Sequence, residues 1–185
     1  MAYTSPNKSG KPTANDSVMT FPHIAEAIIN HYWPVGKLLE PCKGDGSFYD
    51  IMKEPKDWCE ISEGKDFLSY NKKVDWIITN PPFSIYDLFL LKSFEIADNI
   101  VFLAPLQKVF KSKKMDNHIT DYGGIPEILM LGSGTTLGFP FGFPCGCIYF
   151  KRGYTGTTSI LRKYQWSNKA STRQGQVAAE FEGFE

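Results

Sequence analysis

The chain has 185 residues, of which 42% are hydrophobic and 22% charged, the proportions of an ordinary soluble globular domain. Its 20 basic and 20 acidic residues give a net charge of zero, which excludes a strong overall field toward nucleic acid or membrane. No apolar run approaches the ~18 residues of a membrane span. The polar N-terminus also lacks a signal-peptide pattern, so we expect a cytoplasmic protein.

Four cysteines are present, and none of them has Cys-x-x-Cys spacing; they are Cys42, Cys59, Cys145 and Cys147. Without a secretory pattern, this arrangement favours free thiols in a reducing compartment. A zinc site would require the cysteines to converge with histidines, which their spacing does not favour. We therefore predict no metal site.

The two ends of the chain differ in composition from its middle. Residues 1–19 are rich in Ser, Lys, Asn, Pro and Thr without periodicity, which predicts a flexible N-terminal arm. Residues 164–185 are rich in Gln, Ser, Glu and Gly, and we expect them to form a loose tail. Residues 20–163 carry the hydrophobic pattern of one folded domain.

The first predicted elements are a helix and a strand. Pro22 can open the helix, and Pro34 with Gly36 ends it after an apolar helical face. That face comprises Ile24, Ala25, Ile28, Ile29 and Tyr32. A short strand follows at residues 37–40. It leads into the glycine-rich sequence Pro41-Cys42-Lys43-Gly44-Asp45-Gly46-Ser47-Phe48.

This glycine-rich loop indicates a ligand site. Two glycines spaced two apart allow a tight turn and a close approach of ligand to backbone. Ser47 is a plausible cap for a short helix that ends near Met52. A strand, a glycine loop and a helix together are typical of the nucleotide-binding opening of a doubly wound sheet. However, Tyr49 stands where a dinucleotide-binding motif needs its third glycine, and Glu40 would repel a pyrophosphate and suits an amino group or a sulfonium.

Acidic residues follow the next predicted strand, residues 58–61. Glu60 ends that strand and can accept hydrogen bonds from both hydroxyls of a ribose. Asp66 can accept a hydrogen bond from the exocyclic amine of an adenine, and Phe67 can pack on the ring. The alternatives are a surface glutamate at position 60 and a turn-capping aspartate at position 66.

The most informative motif is Asn80-Pro81-Pro82-Phe83, which follows the apolar strand at residues 75–79. The two prolines have no N–H, so the strand must stop and leave a stiff turn at its C-terminal end. In α/β sheets, ligands bind at that end. Asn80 and the Pro81 carbonyl would accept the N–H bonds of a flat amine, and Phe83 would stack on its face. The alternative is a strand-ending turn with a packed phenylalanine.

The second half of the chain begins with a predicted helix at residues 85–97. A nearly continuous apolar strand at 99–104 follows, as expected for a parallel sheet that is covered on both faces. Residues 107–124 form a basic, polar segment whose lysines suit phosphates or a solvated surface. These lysines are Lys108, Lys111, Lys113 and Lys114.

Two further strands are predicted, at residues 125–131 and 147–151. Between them, residues 132–146 contain five glycines, two prolines and three phenylalanines, which predicts a loop. This loop is either a mobile lid with stacking aromatic rings or an irregular hairpin with buried rings.

In this order, the motifs resemble those of the S-adenosylmethionine-dependent DNA adenine-N6 methyltransferases of bacteria and phages. The resemblance covers about residues 21–152, and the tetrapeptide Asn80-Pro81-Pro82-Phe83 is similar to the catalytic motif of the family. The resemblance implies cofactor contacts at Phe21, His23, Glu40, Pro41, Cys42, Gly44, Gly46, Phe48, Glu60, Asp66, Phe67 and Asn80.

The resemblance also implies a fold and a reaction. The fold would be α/β, with a doubly wound, mostly parallel seven-stranded sheet of the Rossmann-like methyltransferase type. Residues 20–163 would form the methyltransferase catalytic domain, and S-adenosylmethionine would be the cofactor. The partner would be DNA, with the target adenine extruded from the helix.

Other functions remain open because a separate target-recognition domain is not evident. The segments 107–124 and 132–146 are short, which predicts a target of few base pairs and leaves room for an oligomer or a recognition partner. Similar tetrapeptides occur in enzymes that methylate RNA adenines or protein glutamine amides, and an inactive cofactor- or nucleic-acid-binding module is a further alternative. A nicotinamide dehydrogenase is disfavoured by the missing glycine. A cytosine-C5 enzyme is disfavoured because no Pro-Cys pair follows the strand at 75–79.

Overall fold

A computed structural model describes residues 18–162, which form one seven-stranded sheet. Residues 1–17 of the predicted arm and the predicted tail at 164–185 lie outside the described residues. The strands are β1 (Leu38–Glu40), β2 (Lys56–Trp58), β3 (Val74–Thr79), β4 (Ala97–Pro105), β5 (Gly123–Ser133), β6 (Pro144–Arg152) and β7 (Ser159–Leu161). Their order across the sheet is β2-β1-β3-β4-β6-β5-β7.

Most neighbouring strands in this sheet are parallel. Strand β6 runs antiparallel to β4 and to β5, and the remaining pairs are parallel. Strand β4 is buried along nearly its whole length, as its continuous apolar sequence predicts. The predicted mostly parallel sheet of seven strands is therefore confirmed.

Helices cover both faces of the sheet. They are α1 (Pro22–Tyr32), α2 (Tyr86–Ile96) and α3 (Lys113–Tyr122). Successive strand residues point to opposite faces, so Ile77 packs in the cluster with α2 and α3, whereas Ile78 packs in the cluster with α1. This arrangement confirms the predicted doubly wound architecture. Within residues 18–162, no helix is long and apolar enough to cross a membrane.

Two predicted elements differ near the glycine loop. The helix from Ser47 to Met52 is only a 3-10 turn at Tyr49–Ile51, because the Ser47 hydroxyl donates to Asp45 Oδ1 at 2.7 Å and caps no helix. The strand predicted at 58–61 is β2, which ends at Trp58. Beyond β2, Glu60 caps a 3-10 turn, so the chain leaves the sheet earlier than its apolar residues indicate.

The second half of the chain contains two elements that the sequence did not reveal. The basic segment 107–124 includes α3, which Ser112 caps and which buries Met115, Ile119 and Tyr122. This i, i+4, i+7 spacing was an available helix signal among many polar residues. The other element is the short edge strand β7, which pairs with β5. The loop predicted at 132–146 is shorter than expected, because β5 extends to Ser133 and β6 begins at Pro144.

Candidate active site

A cavity of about 160 Å³ lies beside the C-terminal ends of β1 and β3. These strands are adjacent and parallel, so the segments that follow them meet at one edge of the sheet. The cavity brings together much of the predicted cofactor site with part of the tetrapeptide. The predicted positions in its lining are Pro41, Cys42, Gly44, Glu60, Asp66, Phe67, Asn80 and Pro82. A smaller adjoining cavity of about 30 Å³ adds Phe48.

Other predicted positions lie outside the lining of both cavities: Phe21, His23, Glu40, Gly46, Pro81 and Phe83. His23 stacks on Phe21 with ring centroids 5.8 Å apart. The Phe21 ring lies over Gly138, where an added Cβ would come within 3.1 Å of it. Val18 and Met19, which the sequence assigned to the flexible arm, line the larger cavity instead.

A buried polar network joins the end of β1 to the end of β3. Glu40 is 1% exposed, and its Oε1 accepts hydrogen bonds from Thr79 Oγ1 at 2.5 Å and from the Cys42 backbone N–H at 3.2 Å. The Cys42 thiol lies 2.9 Å from Thr79 Oγ1 and donates to the Asn80 carbonyl at 3.2 Å. The network therefore fixes the glycine loop relative to Asn80.

The Glu40 carboxyl of this network has a pKa that is shifted by its burial. Burial raises its pKa to about 8, although hydrogen bonds from Thr79 and Cys42 oppose the rise. Its second oxygen, Oε2, has no hydrogen-bond partner among the described residues. A nearby cation would favour ionisation of this carboxyl. Direct contact between Glu40 and a cationic ligand stays a prediction, because the side chain lies beneath the cavity lining.

Glu60 links the glycine loop to the turn after β2. Its Oε2 accepts from the Gly44 N–H at 3.0 Å, and its Oε1 accepts from the Ser62 backbone N–H at 3.1 Å. Burial raises the pKa of Glu60, but these hydrogen bonds and the nearby Lys43 outweigh that effect and lower it overall. Glu60 is therefore an ionised acceptor at the cavity wall.

Asp66 and Phe67 lie next to Glu60 in the lining. Asp66 Oδ1 accepts from the Leu68 N–H at 2.9 Å and caps a 3-10 turn. The turn-capping alternative is thus correct for one oxygen of Asp66, and the residue also borders the cavity. Phe67 is 2% exposed and packs against Phe89, so it forms a rigid wall.

The tetrapeptide is held from three sides. Asn80 Nδ2 donates to the Val18 carbonyl at 3.0 Å, which leaves Oδ1 as the acceptor end of the amide. The Phe83 carbonyl accepts from Lys108 Nζ at 2.9 Å. The Phe83 ring packs against Phe139 and Phe141, with centroid distances of 5.3 and 5.9 Å. The glycine-rich hairpin therefore supports the tetrapeptide.

The four predicted phosphate-binding lysines fall into two groups. Lys108 contacts the tetrapeptide, and Lys111 pairs with Asp87 at 2.7 Å. Lys113 and Lys114 are exposed in the first turn of α3. Nucleic-acid binding stays a prediction for all four, and the exposed pair fits it better.

Neither a protein-family model nor a curated protein matches the sequence. Solved structures do match. A candidate class I S-adenosylmethionine-dependent methyltransferase from Listeria monocytogenes has a TM-score of 0.59 and 16% identity, over 82% of this chain and 68% of that one. A candidate RNA methyltransferase from Pyrococcus horikoshii has a TM-score of 0.54 and 16% identity, over 71% of this chain and 83% of that one.

The M protein of the type I restriction enzyme EcoKI is a third similar structure. Its TM-score is 0.58 at 14% identity, over 75% of this chain and 45% of the M protein. This chain thus spans less than half of that protein. At these identities the comparisons show the fold: the chain has the Rossmann-like fold of class I S-adenosylmethionine-dependent methyltransferases.

Proposed function

We propose that this protein transfers a methyl group from S-adenosylmethionine to the N6 amine of adenine in DNA. The observation that carries the proposal is the shared cavity, which joins the Gly44 loop and the acceptors Glu60 and Asp66 to Asn80. An adenosine-type ligand and an adenine amine need such acceptors in adjacent positions.

The residues of the cavity fit the proposed cofactor. Glu60 would accept hydrogen bonds from the ribose hydroxyls, and Asp66 would accept one from the adenine amine of the cofactor. Gly44 has φ +54°, a conformation that favours glycine, and an added Cβ there would lie 2.7 Å from Met19 Sδ, so a cofactor at this backbone would contact the Met19 side chain. When bound, S-adenosylmethionine supplies an electrophilic methyl group on a sulfonium.

Asn80 and Pro81 would act on the other substrate. The N6 lone pair of adenine is delocalised into the ring, so the amine is a poor nucleophile. Acceptance of its two N–H bonds by Asn80 Oδ1 and the Pro81 carbonyl would raise the electron density on nitrogen. The orientation of Asn80 supports this role, because Nδ2 is already bound to the Val18 carbonyl. Hydrogen bonds that strengthen in the transition state contribute several kcal/mol to catalysis in other enzymes.

Two of the similar structures favour different nucleic acids. The EcoKI M protein belongs to a DNA restriction system, whereas the Pyrococcus horikoshii protein is described as an RNA methyltransferase. Methylation of RNA adenine is therefore the second candidate function. Methylation of a protein glutamine amide would use the same hydrogen-bond acceptors, Asn80 Oδ1 and the Pro81 carbonyl. An inactive binding module would not require these acceptors.

Nucleoside mass spectrometry tests the proposal. The protein is incubated with isotope-labelled S-adenosylmethionine and DNA, RNA or protein, with Asn80→Ala as the low-activity control. We expect labelled N6-methyladenine in DNA with the wild type and at least about 100-fold less with Asn80→Ala. Label in RNA adenine would move the function to the second candidate, and label in none of the three substrates would overturn methyl transfer.

A further inference from the structure

Four phenylalanine rings form a continuous series that starts at the candidate active site. We name Phe83, Phe139, Phe141 and Phe143 the aromatic ladder. Phe139 stacks on Phe141 with centroids 5.2 Å apart and planes 6° apart, and Phe83 contacts both rings. Phe143 contacts Phe141 at 5.7 Å. The ladder thus connects the tetrapeptide to the start of β6, where the Phe143 carbonyl accepts from the Gly134 N–H at 2.8 Å.

The exposure of the rings increases from Phe139 to Phe143. Phe139 is 4% exposed, Phe141 is half-buried and Phe143 is 51% exposed. The inner rings support one another and Phe83, so packing explains their burial. Packing does not explain Phe143, which leaves half of a large apolar surface in solvent and is joined to Phe83 of the tetrapeptide through Phe141.

The charges around the ladder favour an anionic partner. Residues 128–150, which contain its last three rings, have no charged side chain. Residues 99–114 have four lysines and no acid, and Asp87 of α2 pairs with Lys111 at 2.7 Å, which leaves a net positive charge on this segment. The two segments meet at the same edge of the sheet, because Pro105 of β4 pairs with Cys145 of β6. Lys108 joins them to the site through the Phe83 carbonyl.

We propose that the aromatic ladder binds the bases of an unpaired nucleic-acid strand next to the target adenine. The partner is therefore single-stranded nucleic acid or a locally opened segment. Every base has an aromatic face, so the exposed Phe143 ring at the end of the ladder can hold a base without reading its sequence, while the stacked Phe139 and Phe141 rings support Phe143. This inference rests on the proposed function for the identity of the target, but the ladder itself requires only base stacking.

A paired duplex fits this surface poorly. Each base in a duplex is already stacked on its neighbours, so its faces are not accessible to Phe143. The lysines bind phosphates of either form, which gives duplex binding without a contribution from the ladder. Single-stranded substrate also avoids the cost of a few kcal/mol for extrusion of the target base.

Fluorescence anisotropy with labelled oligonucleotides tests the proposal without methylation. The probes are a 12-nucleotide single strand that contains one adenine and the duplex of the same sequence. No S-adenosylmethionine is added, so binding is measured without turnover. We expect the single strand to bind at least about tenfold more tightly than the duplex. Phe143→Ala should weaken single-strand binding about 5- to 100-fold and leave duplex binding within about twofold.

Two control variants distinguish stacking from a fold defect. Phe143→Trp retains a stacking ring and should keep most of the affinity. Trp33→Ala removes an exposed ring at the C-terminal end of α1. It should leave the affinity for both probes unchanged. Equal binding of single strand and duplex, or no loss in Phe143→Ala, would overturn the ladder proposal. Ladder-dependent binding without methylation in the mass-spectrometry assay would instead reject the proposed function and leave the ladder proposal standing.

Discussion

The segments after β1 and β3 and the hairpin between β5 and β6 border the same site but are built differently. The first region is fixed by buried and partly buried hydrogen bonds among Glu40, Cys42, Thr79 and Asn80. The second region contacts Phe83 through the aromatic rings of Phe139 and Phe141. Hydrogen bonds require specific atoms at specific distances, whereas ring contacts tolerate adjustment. The difference suits a constant cofactor on one side and variable neighbours of a target base on the other.

The largest expected effect comes from Asn80, where the two regions meet. Asn80→Ala removes the N6 acceptor but leaves the Gly44 loop and Glu60 intact. Turnover should fall about 10²- to 10³-fold, because a lost transition-state hydrogen bond costs ~2.7–4 kcal/mol. Affinity for S-adenosylmethionine, measured by titration calorimetry, should stay within a few fold.

Asn117→Ala is the matched control for this variant, because it removes an exposed amide on α3. It should retain wild-type turnover. Normal turnover in Asn80→Ala would exclude Asn80 from the chemistry and favour the binding-module alternative.

Glu40 provides a test of the hydrogen-bonded region by pH. Its pKa is raised to about 8 in the folded state by burial, above the ordinary value of 4.5. Between these values the native state binds more protons than the unfolded state, so stability falls as pH rises. Relative to Glu40→Gln, the wild type should lose about 2 kcal/mol of unfolding free energy between pH 5 and pH 7.

Urea unfolding of both proteins at several pH values measures this difference. Glu63→Gln, at an exposed glutamate, is the control for the loss of a carboxylate. A pH-independent difference between the wild type and Glu40→Gln would mean that Glu40 is ionised in the folded protein at every pH tested.

Glu60 tests the cofactor side alone. Glu60→Ala should weaken binding of S-adenosylmethionine by ~1–3 kcal/mol, as expected for the loss of hydrogen bonds to a charged acceptor. NAD should not bind to either protein. In calorimetry, Glu63→Ala should bind like the wild type, because Glu63 lies outside the cavity lining. Unchanged affinity of Glu60→Ala for S-adenosylmethionine would show that Glu60 does not bind the ribose hydroxyls.

The sequence predicted the hydrogen-bonded region well and the hairpin less well, for physical reasons. Prolines and glycines follow β1 and β3, and they restrict or free the backbone locally. The positions of Gly44 and Asn80 at the ends of these strands could therefore be predicted. The contact between Val18 and Asn80 spans 62 positions, and no local pattern encodes it. The ring contacts of the hairpin likewise depend on the pairing of β5 with β6. The alternatives of lid and buried hairpin could therefore not be separated from sequence.

The contacts of the individual lysines could also not be predicted from the sequence. Four lysines lie within seven positions, and nothing in their spacing shows which of them contact other residues. In the folded chain, Lys108 contacts the Phe83 carbonyl and Lys111 pairs with Asp87, whereas Lys113 and Lys114 are exposed. A composition-based prediction of a phosphate-binding rim therefore applies best to the exposed pair.

The smallest expected effect distinguishes these two groups of lysines by salt. Lys113 and Lys114 lie in the first turn of α3, where the helix dipole slightly disfavours cations, so a bound phosphate would relieve an unfavourable placement. Each phosphate contact adds about 0.9 to the slope of log affinity against log salt for duplex DNA. The double variant Lys113→Gln/Lys114→Gln should flatten that slope by about two units, measured with duplex DNA between 50 and 200 mM salt, and should leave turnover at saturating substrate unchanged.

Lys108→Gln is the comparison for the double variant. The loss of its hydrogen bond to the Phe83 carbonyl should lower turnover and change the salt slope less than the double variant does. If the slope changes with Lys108 and not with the exposed pair, the nucleic acid contacts the tetrapeptide side of this segment and the first turn of α3 is not part of the interface.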